Sequence, residues 1–296
     1  MTDQENSQVQ QNLFDIYSGI LFNNQDFASS GETAEITYDF ACPEYGTIIE
    51  KYGIDRIAGE GTAFQRSVRL MHWMAPRLKH KSDYDNHVPV NALALLEYSL
   101  DNPGQGINCV NKAKILAECC LALGIYARRV HIMPYSPYDG DNHVVAEIYD
   151  GTMGKWVMID PTVDGYFVDE EGRPLSVLEL RDRFAHQEFA ALLTGEDSAD
   201  DLPKLVEKHM DDNAYFCKNL FRIGVDRHNG FGDGDKEALW LIPAGLSVKR
   251  SILANIAYRM RRYPEGKDFF KEWLAKAQEQ PEPVPRDPSL LTGPPQ

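Results

Sequence analysis

Cys109, His143 and Asp160 follow one another along the chain in an order that suits acyl transfer. A thiol becomes a strong nucleophile when an imidazole takes its proton, and a carboxylate can hold that imidazole in the required orientation and tautomer. The thiolate attacks an amide carbonyl, the imidazolium protonates the leaving amine, and a thioester remains. Water then makes the reaction a hydrolysis; an amine makes it a transfer. Of the five cysteines, Cys42, Cys109, Cys119, Cys120 and Cys217, only Cys109 stands at a predicted helix start. Unpaired N–H groups and the positive end of the helix dipole favour a thiolate there. The Cys109 N–H is the first oxyanion donor expected, and Gln105 is the candidate for a second. Arg128 and Trp156 are candidates for holding substrate, the arginine together with Arg129 as a carboxylate receptor. His131, between Arg128–Arg129 and the end of its strand, is the rival base.

Each of these residues depends on an element that the sequence predicts. From Gly106 to Gly124, GINCVNKAKILAECCLALG reads as a turn, Asn108 as an N-cap, a helix opening on Cys109, and a glycine stop. Ala113, Leu116 and Cys120 continue a stripe from Cys109 and carry the helix into a core. Upstream, Thr62 caps a helix with Phe64, Val68, Met71 and Leu78 on one face, loosened near its end by Pro76. A shorter helix starts at the Asn91 cap and stops before Asn102-Pro103-Gly104.

Three strands are predicted downstream, Ile125 to Met133, Asn142 to Tyr149 and Trp156 to Asp160, the last two joined by a turn containing Gly151 and Gly154. If Tyr149 pairs with Trp156, Asp160 faces Val145 and His143 lies diagonally from Asp160 on the same face. Diagonal neighbours are roughly 7 Å apart at the backbone, within reach of a His–Asp hydrogen bond. Helix followed by antiparallel sheet is an α+β order.

The segments flanking this unit are less explicit. Residues 1–58 read as a partly flexible N-terminal segment with a short helix around Leu13 to Leu21, and 59–200 as the catalytic core. Beyond Thr162 a hairpin (YFVDEEGRPLSV) and a helix near Leu178 to Leu193 are expected. Residues 201–276 form a C-terminal α/β extension, and the Pro-rich 277–296 reads as disordered. With 30 basic and 45 acidic residues the chain carries a formal charge of -15, which disfavours nucleic acid as a partner. There is no CxxC pair, so neither a structural zinc nor a disulfide framework is expected, and no cofactor is indicated. No apolar run of spanning length and no leader pattern is present, which places the chain in the cytoplasm and away from membranes.

The sequence around these residues resembles the transglutaminase-like superfamily. Gly106-Ile107-Asn108-Cys109 with Ala113 and Leu116, then Leu123-Gly124-Ile125, Ala127-Arg128 and Val130, are similar to its cysteine signature. Asn142-His143-Val144-Val145-Ala146-Glu147 resembles the family's histidine strand, and Trp156-Val157-Met158-Ile159-Asp160-Pro161-Thr162 its aspartate strand. The resemblance implies a papain-like core in which the cysteine helix packs on an antiparallel sheet, with Cys109, His143 and Asp160 as the triad. Family members include crosslinking transglutaminases, peptidases, deglycosylating amidases and inactive forms. The paired zinc cysteines of the deglycosylating members are absent, and the chain has no room for the β-sandwiches of the large calcium-dependent enzymes. What remains is similar to bacterial members of unassigned substrate. Three functions stay open: an amidase or peptidase, an acyltransferase, and a non-catalytic module that binds a peptide or protein in the same cleft.

Overall fold

The first helix, α1 (Asp3–Phe22), buries Phe14, Ser18 and Leu21 along one face, three and four residues apart. A computed structural model describes residues 3–234 and 237–295. After α1 come a short strand, β1 (Thr37–Tyr38), and two helices, α2 (Glu44–Tyr52) and α3 (Ile54–Ala58). The segment expected to be partly flexible thus contributes regular structure and core residues, among them Phe14, Ile48 and Ile54.

Helix α4 (Ala63–Met74) opens on a reciprocal cap: Gln65 N–H donates to the Thr62 hydroxyl, and the Gln65 side chain accepts from Thr62 N–H. Pro76 falls in a tighter 3-10 turn, Ala75–Arg77, that ends the run. The Asn91 side chain caps α5 (Ala92–Asp101). Asn108 caps α6 (Cys109–Ala122), accepting from Asn111 N–H at 3.2 Å.

Strands β2 (Ala127–Met133), β3 (His143–Asp150) and β4 (Lys155–Ile159) follow. Then come β5 (Gly165–Val168), α7 (Val177–Ala185), β6 (Ala191–Thr194), α8 (Leu202–Lys208) and α9 (Met210–Asn219). The remaining elements are β7 (Arg222–Asp226), β8 (His228–Asn229), β9 (Ala238–Leu241), α10 (Val248–Arg262), α11 (Lys267–Glu279) and α12 (Ser289–Thr292).

The main sheet runs β4-β3-β2-β7-β9, antiparallel at every step, and Tyr149 pairs with Trp156. Its residues alternate between two cores. Val130, Val145, Met158, Ile223 and Leu241 join residues of α1, α7 and α9 on one face, whereas Ala127, Ala146, Ile148 and Val157 join α4, α5 and α6 on the other. This antiparallel sheet with helices on both faces fits the α+β class.

The sheet corrects the expected boundary near residue 200. β2 would otherwise expose a long apolar edge; β7 pairs with it through Val130↔Val225 and Ile132↔Ile223, and β9 extends the sheet. The region beyond 200 is therefore part of the same sheet. α7 also stops earlier than expected, at Ala185, and the segment from Ala191 becomes the partner of β5. The expected hairpin survives as a tight return in which Leu175 N–H donates to Phe167 O.

The Pro-rich tail is ordered where disorder was expected. Arg286 N–H donates to Trp240 O at 2.9 Å, and Leu291 is 3% exposed. The Arg128 guanidinium donates to Leu291 O at 2.8 Å, and Trp156 Nε1 to Gly293 O at 2.9 Å. The tail meets β9 in a single bridge, Trp240↔Pro285, and side-chain donors on the sheet satisfy its later carbonyls. Among the described residues no helix is long and apolar enough to cross a membrane.

Arg128 is held from its other side by Glu147, which accepts from Nε at 3.0 Å and Nη2 at 2.6 Å and also takes Val177 N–H at 2.9 Å. Both side chains are at most 2% exposed. Glu147→Ala leaves a buried guanidinium without its counter-charge, and urea denaturation is expected to show a loss of roughly 3–5 kcal/mol.

Candidate active site

Cys109 is the first residue of α6, half-buried at the helix mouth. Two neighbouring segments fix that mouth. Ile107 N–H donates to Lys79 O and Lys81 N–H to Ile107 O, so the chain just before the cysteine is bound to the loop after α4. Gly106 is required by this approach, because a Cβ there would lie 2.6 Å from Lys81 Cβ and 3.1 Å from Lys79 O. Asn86 accepts from Asn111 Nδ2 at 2.9 Å and from Asn108 Nδ2 at 3.3 Å, tying the cap to a second loop.

His143 opens β3, and Asp160 directly follows β4. The register Ala146↔Ile159 puts Val145 opposite Asp160 and places His143 diagonally from it on the same face. The imidazole Nε2 and Asp160 Oδ2 are 2.6 Å apart, with side chains 4% and 1% exposed. Asp160 is itself braced: its Oδ1 accepts Thr162 N–H at 2.8 Å, and its backbone pairs with Gly165. With Nε2 committed to the carboxylate, Nδ1 is the ring atom left for Cys109, whose sulfur is close enough to act on the ring's charge.

Burial works against a charge on His143, but the Asp160 carboxylate, its hydrogen bond and the Cys109 sulfur outweigh it and push the ring up to about 10. The arrangement therefore favours an imidazolium between two acceptors. At the mouth of α6 the N–H groups of Cys109 and Val110 precede the capped N–H of Asn111 and have no acceptor among the described residues. They point outward as first-turn N–H groups do, available to a developing oxyanion.

The other residues singled out from the sequence lie elsewhere. Gln105 sits exposed on the turn before Gly106, its N–H donating to Asn102 O. Arg128 and Trp156 stack at 3.8 Å toward the opposite end of β3 and β4, occupied by Glu147 and the tail. Arg129 is paired with Asp226 at 2.6 Å and Asp233 at 2.8 Å. His131 pairs with Val144 in the ladder, so it faces away from His143 and meets Asp226 at 3.0 Å.

Three groups near Cys109, His143 and Asp160 escaped the sequence reading. Lys112, one turn beyond Cys109, is 2% exposed with Nζ 3.5 Å from Pro161 O. Burial pulls its ammonium below the ordinary lysine value, against the attraction of Asp160, Asp164 and Cys109. His80, in the loop bound to Ile107, is likewise pulled down by burial and then by the charges of Lys112 and His143. From α9, the rings of Tyr215 and Phe216 meet His143 edge-on at 5.6 and 5.5 Å. The aromatic run AYFCKNLFRI was the available signal for the last pair; nothing in the pattern marks Lys112.

A folded-state value above the ordinary 6.5 means that the stabilisation by charged His143 is fully present below about 6.5 and is lost as pH rises through about 10. The stability difference between wild type and His143→Gln, followed by denaturation across that window, is expected to be largest in acid and to shrink toward pH 10. In Asp160→Asn the imidazole is expected to titrate nearer the ordinary histidine range by nitrogen-resolved NMR.

Residues 52–161 match the family model of the transglutaminase-like superfamily. No curated protein and no solved structure matches the chain. The family match runs from the end of α2 to the residue after Asp160, and the segment it covers carries Cys109, His143 and Asp160.

Proposed function

We propose that the chain is a cysteine-dependent amidase or peptidase acting through a thioester on Cys109. The observation that carries the reading is the meeting of a helix-terminal thiol with a buried imidazole whose far nitrogen is 2.6 Å from a carboxylate. In the reaction the Cys109 sulfur attacks the amide carbon, forming a C–S bond while the carbonyl oxygen takes up negative charge beside the α6 N–H groups. Collapse breaks the C–N bond, and the proton on His143 leaves with the amine. His143, now neutral, takes a proton from water as it attacks the thioester; the acid departs and the thiolate–imidazolium pair returns. Asp160 stays ionised and holds the ring throughout.

The coarser assignment, a cysteine enzyme or related module of this superfamily, follows from the family match. Hydrolysis is the simplest reaction for such a site, since water is always at hand as the second nucleophile. Iodoacetamide at pH 6.5, mapped by peptide mass spectrometry, is expected to label Cys109 well before Cys42 and the buried Cys119, Cys120 and Cys217. His143→Ala should remove that selectivity. With an amide substrate in hand, Cys109→Ala is expected to lower turnover by roughly a thousandfold or more. Incorporation of a labelled amine into a glutamine substrate, in place of acid release, would reassign the chain as an acyltransferase. Unselective, slow labelling of Cys109 would sink the catalytic reading.

A further inference from the structure

The loop 134–142, between β2 and β3, ends at Asn142 beside His143. The α10–α11 hairpin packs against it. Asn255 Nδ2 donates to Pro137 O at 2.6 Å, and the Tyr138 and Tyr258 rings meet at 5.5 Å. Gly140 lets Arg259 lie close, since a Cβ there would be 2.5 Å from Nη2. Between loop and hairpin is a cavity of about 220 Å³, walled by Met133, Tyr135, Ile252 and Trp273 and carrying Arg222 and Arg259. That volume is smaller than a drug-sized site and suits the end of one small chain.

Arg222 is the cavity's inner cation. It opens β7 opposite Met133, and its guanidinium lies 4.8 Å from the Trp240 ring centroid. Its Nε is buried with no hydrogen-bond partner, and no carboxylate among the described residues forms an ion pair with it. Arg128 has Glu147, Arg129 two aspartates and Arg181 the carbonyls of Leu220 and Asn24; buried unpartnered nitrogens occur also on Arg66, Arg129, Arg183 and Arg286, but none of these lines this cavity. Arg259 has Asn255 Oδ1 at 3.0 Å and no carboxylate partner among the described residues. Asp139 and Asp141 also line the cavity, but Lys218 engages them at 3.0 and 3.2 Å. Glu282 reaches Arg222 only through its longer-range field, and its oxygens accept from the first N–H groups of α10.

The Arg222 side chain is half-buried with its Nε shut off from water and without an acceptor, and the rigid guanidinium fork matches a carboxylate better than any other common group. We propose that Arg222, assisted by Arg259, is a carboxylate-binding subsite for the acidic group of an amide substrate, in a cavity whose loop wall, 134–142, ends next to His143. The inference deepens the amidase reading and rests on it for the identity of the ligand as substrate. A peptide C-terminus and an acidic side chain are the two sources of such a carboxylate.

The test uses the full chain bearing Cys109→Ala, so that binding is read without turnover. Three N-acetylated tripeptides are titrated calorimetrically: one with a free C-terminal carboxylate, its C-terminal amide, and an amide with a glutamate side chain. At least one acid is expected to bind about tenfold tighter than the neutral amide, and the better acid identifies the source. Arg222→Met should abolish the preference, and Arg222→Lys, which keeps the charge but loses the fork, should retain part of it; thermal melts establish that each variant is folded. Equal binding of all three peptides, or a preference that survives in folded Arg222→Met, overturns the subsite. Failure of selective Cys109 alkylation sinks the catalytic reading and leaves this binding result standing, so the two are separable.

Discussion

An imidazole and a carboxylate 2.6 Å apart, both almost completely shielded from water, make a demand that the rest of the molecule has to meet. Neither group tolerates burial as a charge without the other, and each must be held by structure that cannot drift. The ladder between β3 and β4 supplies the register, the turn after Asp160 supplies Thr162 N–H, and the rings of α9 close over the imidazole. The same demand explains why α9 has to be part of the fold. Without Tyr215 and Phe216 the ring would be open to water, and the field of Asp160 on it would be weakened.

The sheet divides the site's labour between its faces. His143 and Asp160 belong to the face covered by α1, α7 and α9, whereas α6 packs in the core on the opposite face. Cys109 therefore meets His143 at the end of the sheet, where the first turn of α6 clears the strands. At that end the loop 79–81 is bound to Ile107, two residues before Cys109, and the loop 134–142 leads into His143.

The placing of Cys109 at a helix start and of His143 beside Asp160 was legible in the sequence because its determinants are local. Asn108 before a helical stripe places Cys109, and alternation with a glycine turn places His143 and Asp160 on one face. The expected pairing of Tyr149 with Trp156 is the observed one. What escaped the sequence depends on long-range contact. Arg128 could be recognised as a charged strand residue, but its partner choice depends on Glu147 across the ladder and on Leu291 far along the chain. The Pro-rich composition of the tail suggests disorder, yet it says nothing of donors on a distant sheet or of the short helix α12 that they hold. β7 looked like the start of an extension because a strand carries no mark of which sheet it will join.

That docked tail also has a kinetic side. Arg128 and its acceptor at Leu291 are 163 positions apart, so the last polar ligand of this buried guanidinium arrives only after a very long loop has closed. Contacts of such separation are won late, when most apolar surface has already collapsed. During synthesis from the N-terminus, β2, β3 and β4 emerge with the Arg128–Glu147 pair available but that face of Trp156 uncovered. Residues 291–293 are thus made long after the strands they cover, and until they dock Arg128 and Trp156 lack these acceptors.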